Sequence, residues 1–290
     1  MNGILLLDKP LGYSSNQALQ KIKWLFQAEK AGHTGTLDPL ATGLLPICLG
    51  EATKFAQQVT DADKTYIAHI KLGVQTTTGD AEGAVIATKP ININALQFEE
   101  ACQQFVGEIS QVPPMYSALK HQGKALYEYA RAGIEIERVA RQVIIKQVTV
   151  NAFSGSEAEI AVTCSKGTYI RTLAEDIGKM LNNHAHLVAL RRVQTAGFVI
   201  DNAITIPAVE VLALEARDML LLPVDNALAD LPKVIITGDS AFYFKQGQAV
   251  WQPGKMPHGD LRVYEEGGHF LGLGQRLADG KIAPKRLVNL

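Results

Sequence analysis

The sequence predicts an α+β fold in which a mixed, largely antiparallel central sheet carries flanking helices and a small β-rich domain follows at the C-terminus. Strand and helix patterns alternate along residues 1–230 in an order that does not repeat as β-α-β units, which argues against a parallel sheet. Over residues 231–290 the chain changes to short β-like runs separated by glycines. We therefore predict two domains, residues 1–230 and residues 231–290.

The first part of the chain combines a strand, a helix and an irregular segment. Apolar residues predict a strand near Ile4–Leu7, and helical periodicity from Ser15 to Gln27 predicts a helix with Ser14 or Ser15 as its N-cap. The segment Gly32–Pro46 is rich in Gly, Thr and Pro and has neither a helical nor a strand period. We expect a long loop there, shaped for function.

The next elements follow from the same two periodicities. Residues Thr65–Val74 alternate, with Tyr66 on the apolar face, as in a half-buried strand. Asn94–Val106 begins with an Asn-x-x-Gln pattern that is typical of a capped helix. Further elements are predicted as a helix at Lys124–Ala132 that ends at Gly133, strands at Gln142–Phe153 and Glu159–Cys164, a helix at Thr168–Leu181 and a strand at His186–Ile200.

Composition indicates a globular cytoplasmic protein. Of the 290 residues, 47% are hydrophobic and 20% are charged, so the chain can bury a large core, and no apolar run reaches the length of a membrane span. The N-terminus lacks the basic start and the cleavage site of a signal peptide. Cys48, Cys102 and Cys164 are odd in number and widely spaced, which predicts buried thiols rather than disulfides or a metal site.

Charge is segregated along a chain whose net charge is −1. Lys120–Lys146 contains six basic and three acidic residues, whereas Asp201–Asp230 contains six acidic residues and one arginine. The acidic stretch is Leu-rich, and we expect it to form a helix that closes the first domain. The basic stretch has two interpretations, a solvated face or a nucleic-acid patch, and composition leaves both open.

Asp38 is the strongest candidate for a functional carboxylate. Pro39 pushes its backbone away from helical angles, and Gly32 and Gly35 allow a ligand to approach closely. A plain turn before proline is the common alternative. His33 and the neighbouring threonines add polar groups that a plain turn does not need, but no third ligand is spaced to make a metal site.

Arg171 is the second candidate. It falls in the first turn of the predicted helix, where its charge opposes the helix dipole, so it needs an anionic partner, and Asp38 is one candidate. Such a pair would keep Asp38 ionised. A surface arginine is the alternative, and Tyr66 and Tyr169 are by residue type core aromatics.

The sequence resembles those of a known family, the TruB-type tRNA pseudouridine-55 synthases, over nearly the whole chain. The matching segments are Lys9–Ser15, Gly32–Gly43, Asp63–Tyr66, Pro114–Lys120 and the segment around Arg171. The resemblance also implies a C-terminal PUA-like RNA-binding domain, on the weaker ground of position and of Phe244–Val250 and Ala283–Arg286. Asp80 falls in a further family-like segment, where a turn carboxylate and a supporting polar role are equally open.

The resemblance assigns roles to residues of the predicted cleft. It implies that Asp38 is the catalytic nucleophile, that Arg171 is its ion-pair partner and that Tyr66 packs on the uracil and assists proton removal at C5. It further implies substrate contacts from His33, Tyr169 and the backbone around Leu190, with the uridine flipped out of its loop. Whether Asp38 first attacks the base or the ribose, or promotes a glycal, stays open.

The implied reaction is an isomerisation of uridine 55 in the T-arm of tRNA, with no cofactor and no metal. The implied partner is the T-arm stem-loop of tRNA, with no membrane and no protein partner, and the implied enzyme is a monomer in which Lys120–Lys146 lines the RNA groove. A tRNA-chaperone activity beside catalysis stays open. Two other functions remain as alternatives: a catalytically silent RNA-binding protein, and a glycosidic hydrolase, which would need a second carboxylate.

Overall fold

The computed structural model describes residues 1–254 and 257–289, which form nineteen strands and eight α-helices. The strands are β1 (Gly3–Lys9), β2 (Ala31–His33), β3 (Ala41–Leu49), β4 (Lys64–Leu72), β5 (Val74–Thr76), β6 (Val85–Thr88), β7 (Gly107–Gln111), β8 (Lys120–His121), β9 (Lys124–Ala125), β10 (Arg141–Phe153), β11 (Glu157–Cys164), β12 (Ala185–Thr195), β13 (Phe198–Val199), β14 (Ile204–Thr205), β15 (Lys233–Ile236), β16 (Val250–Trp251), β17 (Gly259–Glu265), β18 (Phe270–Arg276) and β19 (Lys281–Leu287).

The α-helices are short and several have the capping chemistry expected from the sequence. Ser14 caps the first helix by accepting a hydrogen bond from the Gln17 amide, and Asn94 caps the third in the same way from Gln97. The helices are α1 (Ser15–Leu25), α2 (Ala56–Asp61), α3 (Ala95–Gln103), α4 (Leu126–Arg131), α5 (Ile170–Met180), α6 (Ile206–Glu210), α7 (Leu214–Asp218) and α8 (Gly238–Lys245).

The main sheet has ten strands and is mixed but largely antiparallel, so the predicted α+β class is confirmed. Its order is β14-β1-β3-β12-β4-β11-β10-β7, with β13 paired to β12 and β2 paired to β3. Within the described residues, the parallel pairs of this sheet are β1 with β14 and β3 with β12. Such parallel joins require long crossovers, and in this chain the crossovers carry the helices that cover the sheet.

The centre of this sheet positions the residues of interest. Leu190 on β12 lies opposite Ala41 of β3 on one side and Ala68 of β4 on the other. Two residues further along β12, Arg192 lies between Gly43 and Tyr66 in the same way. The strands therefore bring the segment that follows Asp38 and the middle of β4 to one point.

One face of β4 and one face of α5 meet in the main core. Tyr66, Ala68, Ile70 and Leu72 are buried, as the alternation predicted, and they share a cluster with buried residues of α5 such as Leu173. Burying such side chains contributes roughly 1.5–3 kcal/mol each. The helix that carries Arg171 is thus fixed to the strand that carries Tyr66.

The expectation of an irregular loop over Gly32–Pro46 was wrong in its second half. Ala41–Leu49 is a strand of nine residues that shows no alternation because both of its faces are covered. Leu45 and Ile47 pack in the main core, and Leu44 and Cys48 pack in a second apolar cluster. Gly43 permits this packing, since a Cβ there would lie 2.3 Å from the carbonyl oxygen of Arg192. The irregular loop is confined to residues 34–40.

The predicted closing helix over Asp201–Asp230 was also wrong. The stretch contains the short helices α6 and α7 and two 3₁₀ turns, Ile200–Asn202 and Val224–Leu228. Pro207 begins α6 and Pro223 precedes the second 3₁₀ turn, and prolines at these points start new elements rather than extend one helix.

The C-terminal residues form a separate five-stranded sheet in the order β15-β17-β18-β19-β16. The sequence predicted short β runs here but missed α8, which Thr237 caps and which buries Phe244 against the sheet. Tyr264 and Phe270 of this sheet share an apolar cluster with Phe55 and Ile4, so side chains of the two parts pack together. The domain boundary after residue 230 stays a prediction.

The three cysteines are buried thiols, as the sequence predicted. Cys48, Cys102 and Cys164 are buried and free, as predicted, and burial raises the pKa of the Cys48 and Cys102 thiols to about 12 and that of Cys164 to about 11. Among the described residues, no helix has the length and apolar character needed to span a bilayer.

Candidate active site

The loop that carries Asp38 is held on both sides by Gly12 and by Ser15, the first residue of α1. Ser15 bonds both backbone groups of Leu37: its Oγ accepts from the Leu37 amide at 2.7 Å and donates to the Leu37 carbonyl at 3.0 Å. The Gly12 amide donates to the Pro39 carbonyl at 2.9 Å. The loop is therefore ordered on both sides of Asp38, while 42% of the Asp38 side chain stays exposed.

Asp38 and Arg171 form the ion pair that the sequence suggested. Arg171 Nη2 lies 3.0 Å from Asp38 Oδ2, and the arginine side chain is nearly buried in the first turn of α5. The same nitrogen donates to the Tyr116 carbonyl at 2.6 Å. Because a second acceptor fixes the guanidinium, it presents a defined face to Asp38.

Arg171 also binds a second carboxylate, that of Asp80. Arg171 Nη1 lies 3.2 Å from Asp80 Oδ2, and Asp80 is only 2% exposed. Asp80 additionally accepts from the Thr78 hydroxyl at 2.5 Å and from the Glu82 amide at 3.1 Å. Both interpretations of Asp80 therefore hold, since it closes a turn and supports the arginine of the site.

The charges around Asp38 set its protonation. Burial raises the pKa of the Asp38 carboxyl above its ordinary value, Asp80 raises it further, and Arg171 and Lys9 oppose the rise. Lys9 is itself buried, and burial lowers its pKa to about 8, with its ammonium donating to the Pro10 and Tyr13 carbonyls. Asp38 is thus a carboxylate whose charge depends on its neighbours.

Tyr66 lies beside a buried arginine that the sequence analysis did not single out. Arg192 is 1% exposed, and its guanidinium donates to the Leu44 carbonyl at 2.7 Å and to the Gly35 carbonyl at 3.3 Å. Burial raises the pKa of the Tyr66 phenol, and the adjacent Arg192 partly opposes this. The phenol is therefore protonated at neutral pH in the free protein.

These groups face a cleft with a volume of about 750 Å³. Its walls include five of the six predicted site residues, namely Asp38, Tyr66, Tyr169, Arg171 and Leu190. Burial raises the pKa of the Tyr169 phenol, so this ring also faces the cleft in its neutral form. The structure brings together two aromatic rings, one ion pair and the backbone of a central strand.

His33 is the predicted site residue that does not line this cleft. It lies half-buried on β2, five positions before Asp38, and burial and Arg192 lower the pKa of its imidazole. Its Nδ1 is buried and has no hydrogen-bond partner among residues 1–254 and 257–289. His33 is thus a neutral ring at the end of β2, directly before the Asp38 loop.

The basic stretch Lys120–Lys146 is partly neutralised by its own contacts. Arg138 pairs with Glu135, and Lys146 pairs with Asp63. Lys124 and Arg131 instead lie over tyrosine rings, and Arg141 lines the cleft. The surface therefore offers cations and aromatic rings side by side, a combination that suits a nucleic-acid strand.

A second groove lies beside α1. It has a volume of about 810 Å³, is lined by Trp24, Lys21 and Arg217, and contains none of the predicted site residues. Within the part of the chain that the structure describes, no three His, Cys, Asp or Glu side chains are grouped to hold a metal ion. Asp38, Arg171 and the two tyrosines line the other candidate site, the cleft described above.

Sequence families match this chain from residue 23 to residue 288 almost without interruption. Residues 23–170 match the model described as TruB family pseudouridylate synthase, N-terminal domain. Residues 171–229 match the tRNA pseudouridylate synthase B C-terminal domain, and residues 232–288 match pseudouridine synthase II TruB, C-terminal.

Curated proteins and solved structures show the same similarity. The chain is 56% identical over 288 residues to tRNA pseudouridine synthase B of Methylobacillus flagellatus, covering 99% of this chain and 95% of that protein. It is 50% identical over 292 residues to the protein of the same name from Ectopseudomonas mendocina, covering 99% and 95%. A crystal structure of a Cbf5-Nop10-Gar1 complex contains a chain with 26% identity and a TM-score of 0.76, covering 99% of this chain and 84% of that one.

Proposed function

The chain belongs to the TruB family of pseudouridylate synthases, and we propose that it converts uridine 55 in the T-arm loop of tRNA to pseudouridine with Asp38 as the catalytic carboxylate. It is an isomerase that acts on tRNA. The observation that carries the proposal for Asp38 is its pair with Arg171, at 3.0 Å, on the wall of a cleft that two tyrosines also line.

The reaction needs a carboxylate and no added group. The bond between N1 of the uracil and C1′ of the ribose breaks, the base turns, and a new bond joins C5 to C1′. N1 gains a proton and C5 loses one, so atoms and charge balance. Attack on the base, attack on the ribose and glycal formation all begin with an ionised Asp38, and Arg171 favours that ionised form.

The cleft suits a uridine that has left its base stack. Flipped bases are held between apolar or aromatic groups, and Tyr66 and Tyr169 supply two rings beside Asp38. The Tyr66 phenol is neutral in the free protein even with the Arg192 charge beside it, so its help in removing the C5 proton requires the bound substrate to lower its pKa. The backbone at Leu190 completes the floor beside Asp38.

Contacts outside the cleft would recognise the RNA. His33 is half-buried at the end of β2, directly before the Asp38 loop, and we place its ring against the nucleotides that flank the flipped uridine. Arg141 and the stretch Lys120–Lys146 would follow the phosphates of the T-arm, whose folded shape rather than its sequence is read.

We propose that the enzyme works in the cytoplasm, where tRNA is found, as a monomer. A separate chaperone role stays a prediction.

Tritium release from uracil C5 tests the proposed activity. A T-arm stem-loop labelled with tritium at C5 is incubated with the protein, and we expect release of the label with the base still attached to the RNA. A second stem-loop with cytidine at position 55 should release none. Retention of the label would contradict the isomerase, and release of free uracil would indicate a glycosidic hydrolase instead.

A further inference from the structure

Gln111 is a buried amide at the base of the segment that faces the cleft. It is the last residue of β7, the edge strand, and only 2% of it is exposed. In the register of the sheet Gln111 lies opposite Arg141 of β10, so residues 112–140 leave and rejoin the sheet at this pair. This segment contains the β8-β9 hairpin and α4.

The Gln111 side chain binds both backbone groups of Tyr169. Its Oε1 accepts from the Tyr169 amide at 3.0 Å, and its Nε2 donates to the Tyr169 carbonyl at 3.3 Å. Tyr169 is the N-cap residue of α5 and has no side-chain capping bond of its own. Gln111 thus supplies from a distant strand the bond to the N-cap amide that a capping-box residue normally supplies within the helix.

A second contact joins the same two parts of the chain two residues further along α5. Arg171 donates to the carbonyl of Tyr116, which lies in segment 112–140, while it pairs with Asp38. The start of α5 is therefore tied to the end of β7 at Tyr169 and to segment 112–140 at Arg171. Any shift of the segment moves the backbone that presents the guanidinium to Asp38.

We propose that Gln111 is a positioning residue, whose amide fixes the start of α5 against segment 112–140 and so holds Arg171 in register with Asp38. Its catalytic consequence rests on the proposed function, whereas its effect on the α5 start does not. Segment 112–140 carries Arg131 over the Tyr127 ring, and the proposed function places the stem-loop against this segment. Binding of RNA there therefore reaches the catalytic pair through this junction.

The first test needs no RNA. Gln111→Met removes both hydrogen bonds at nearly constant volume. The same substitution at an exposed position, Gln103→Met, is the control, since the Gln103 amide donates to the Val148 carbonyl at 3.0 Å from α3, away from the cleft. We expect faster amide hydrogen exchange at Tyr169 in Gln111→Met and no change there in Gln103→Met. Unchanged exchange at Tyr169 in Gln111→Met would overturn the proposal, whatever the enzyme catalyses.

The second test separates positioning from folding. Under single-turnover conditions we expect Gln111→Met to lower the rate of pseudouridine formation by about 10-fold, while the Kd for tRNA stays within 2-fold. Gln103→Met should leave both values within 2-fold. Equal rate losses in the two variants, following equal falls in Tm, would show a structural role alone and overturn the proposal. A wild-type protein that forms no pseudouridine would instead refute the proposed function and leave the exchange test to decide on Gln111.

The conservative variant supplies a third readout. In Gln111→Glu a protonated carboxyl can accept from the Tyr169 amide and donate to its carbonyl, whereas the ionised form repels that carbonyl. The rate of Gln111→Glu divided by the wild-type rate should therefore rise as the pH falls from about 8 to about 5, because lower pH populates the protonated carboxyl, whose pKa burial raises and the facing Arg141 lowers. The ratio cancels the titration of Asp38. A ratio that does not change with pH would contradict the proposal.

Discussion

Arg171 Nη2 lies 3.0 Å from Asp38 Oδ2, and the arginine reaches this position from the first turn of α5, while the aspartate stands on a loop between β2 and β3. The opposite side of the same guanidinium holds the buried Asp80. One cation therefore serves two carboxylates, of which only Asp38 faces the cleft. The charge of Asp38 and the direction in which Arg171 points depend on each other.

Replacing Asp80 by asparagine should slow catalysis without weakening RNA binding. Asp80→Asn keeps the shape of the turn but removes one of the two charges that orient Arg171. We expect a fall in the single-turnover rate of about 10-fold and a tRNA Kd within 2-fold of the wild type. The control Asp176→Asn removes a half-buried carboxylate on the same helix, which pairs only with Lys179 in the described structure. Equal effects of both substitutions would contradict the role of Asp80.

The acid limb of the pH profile should report the carboxylate of Asp38. Its folded-state pKa is raised, and the ionised form is the active one, so activity is lost as the pH falls through a value above the ordinary aspartate pKa of about 3.9. Asp80 contributes to the rise, so Asp80→Asn should move this limb to lower pH. Single-turnover rates measured from about pH 4 to pH 8 check the direction. A shift to higher pH would refute the assigned coupling.

Tyr66→Phe should separate packing from proton transfer. The substitution keeps the ring on β4 and removes the hydroxyl next to Arg192. If the hydroxyl assists removal of the C5 proton, tritium release should fall by about 10²-fold or more while tRNA binding is retained. Circular dichroism should show an unchanged fold. A rate of tritium release within 3-fold of the wild type would show that the Tyr66 hydroxyl takes no part in proton transfer and that the ring only packs on the base.

Arg141→Gln should weaken tRNA binding in a salt-dependent way. Arg141 is exposed, lines the cleft and begins β10 where segment 112–140 rejoins the sheet. Removing one phosphate contact should reduce the slope of log K against log salt concentration by about 0.7–0.9. Lys179→Gln, which removes an exposed cation on α5 paired with Asp176, is the control. An unchanged salt-dependence slope in Arg141→Gln would contradict a phosphate contact at Arg141.

Local patterns predicted the elements that carry the site but not every contact within it. The Asp38 loop and the helix start at Arg171 could be found because proline, glycine and helix-dipole rules act on neighbours in sequence. Asp80 could be noticed only as a turn residue, since its burial beside Arg171 depends on tertiary packing. Adjacent Arg191 and Arg192 look alike in sequence, yet the first pairs with Asp8 at the surface and the second is buried beside Tyr66.

The errors in the fold have a common physical cause. Strand β3 contains Gly43 and Pro46, which normally indicate a loop, and apolar clusters cover both of its faces, so no alternation remains. Residues Asp201–Asp230 carry a helical composition, but Pro207 and Pro223 divide them into short turns. In β3 non-local packing overrode the local composition, and in Asp201–Asp230 the two prolines did.

The most direct measurement of the central claim is single-turnover formation of pseudouridine at position 55 by Asp38→Asn, with enzyme in excess over a tRNA transcript. The substitution removes the charge and keeps the size of a side chain that is 42% exposed, so folding and tRNA affinity should be retained. We expect Asp38→Asn to form no pseudouridine above background and to bind tRNA with a Kd within about 3-fold of the wild type. A rate within about 10-fold of the wild type would contradict Asp38 as the catalytic carboxylate.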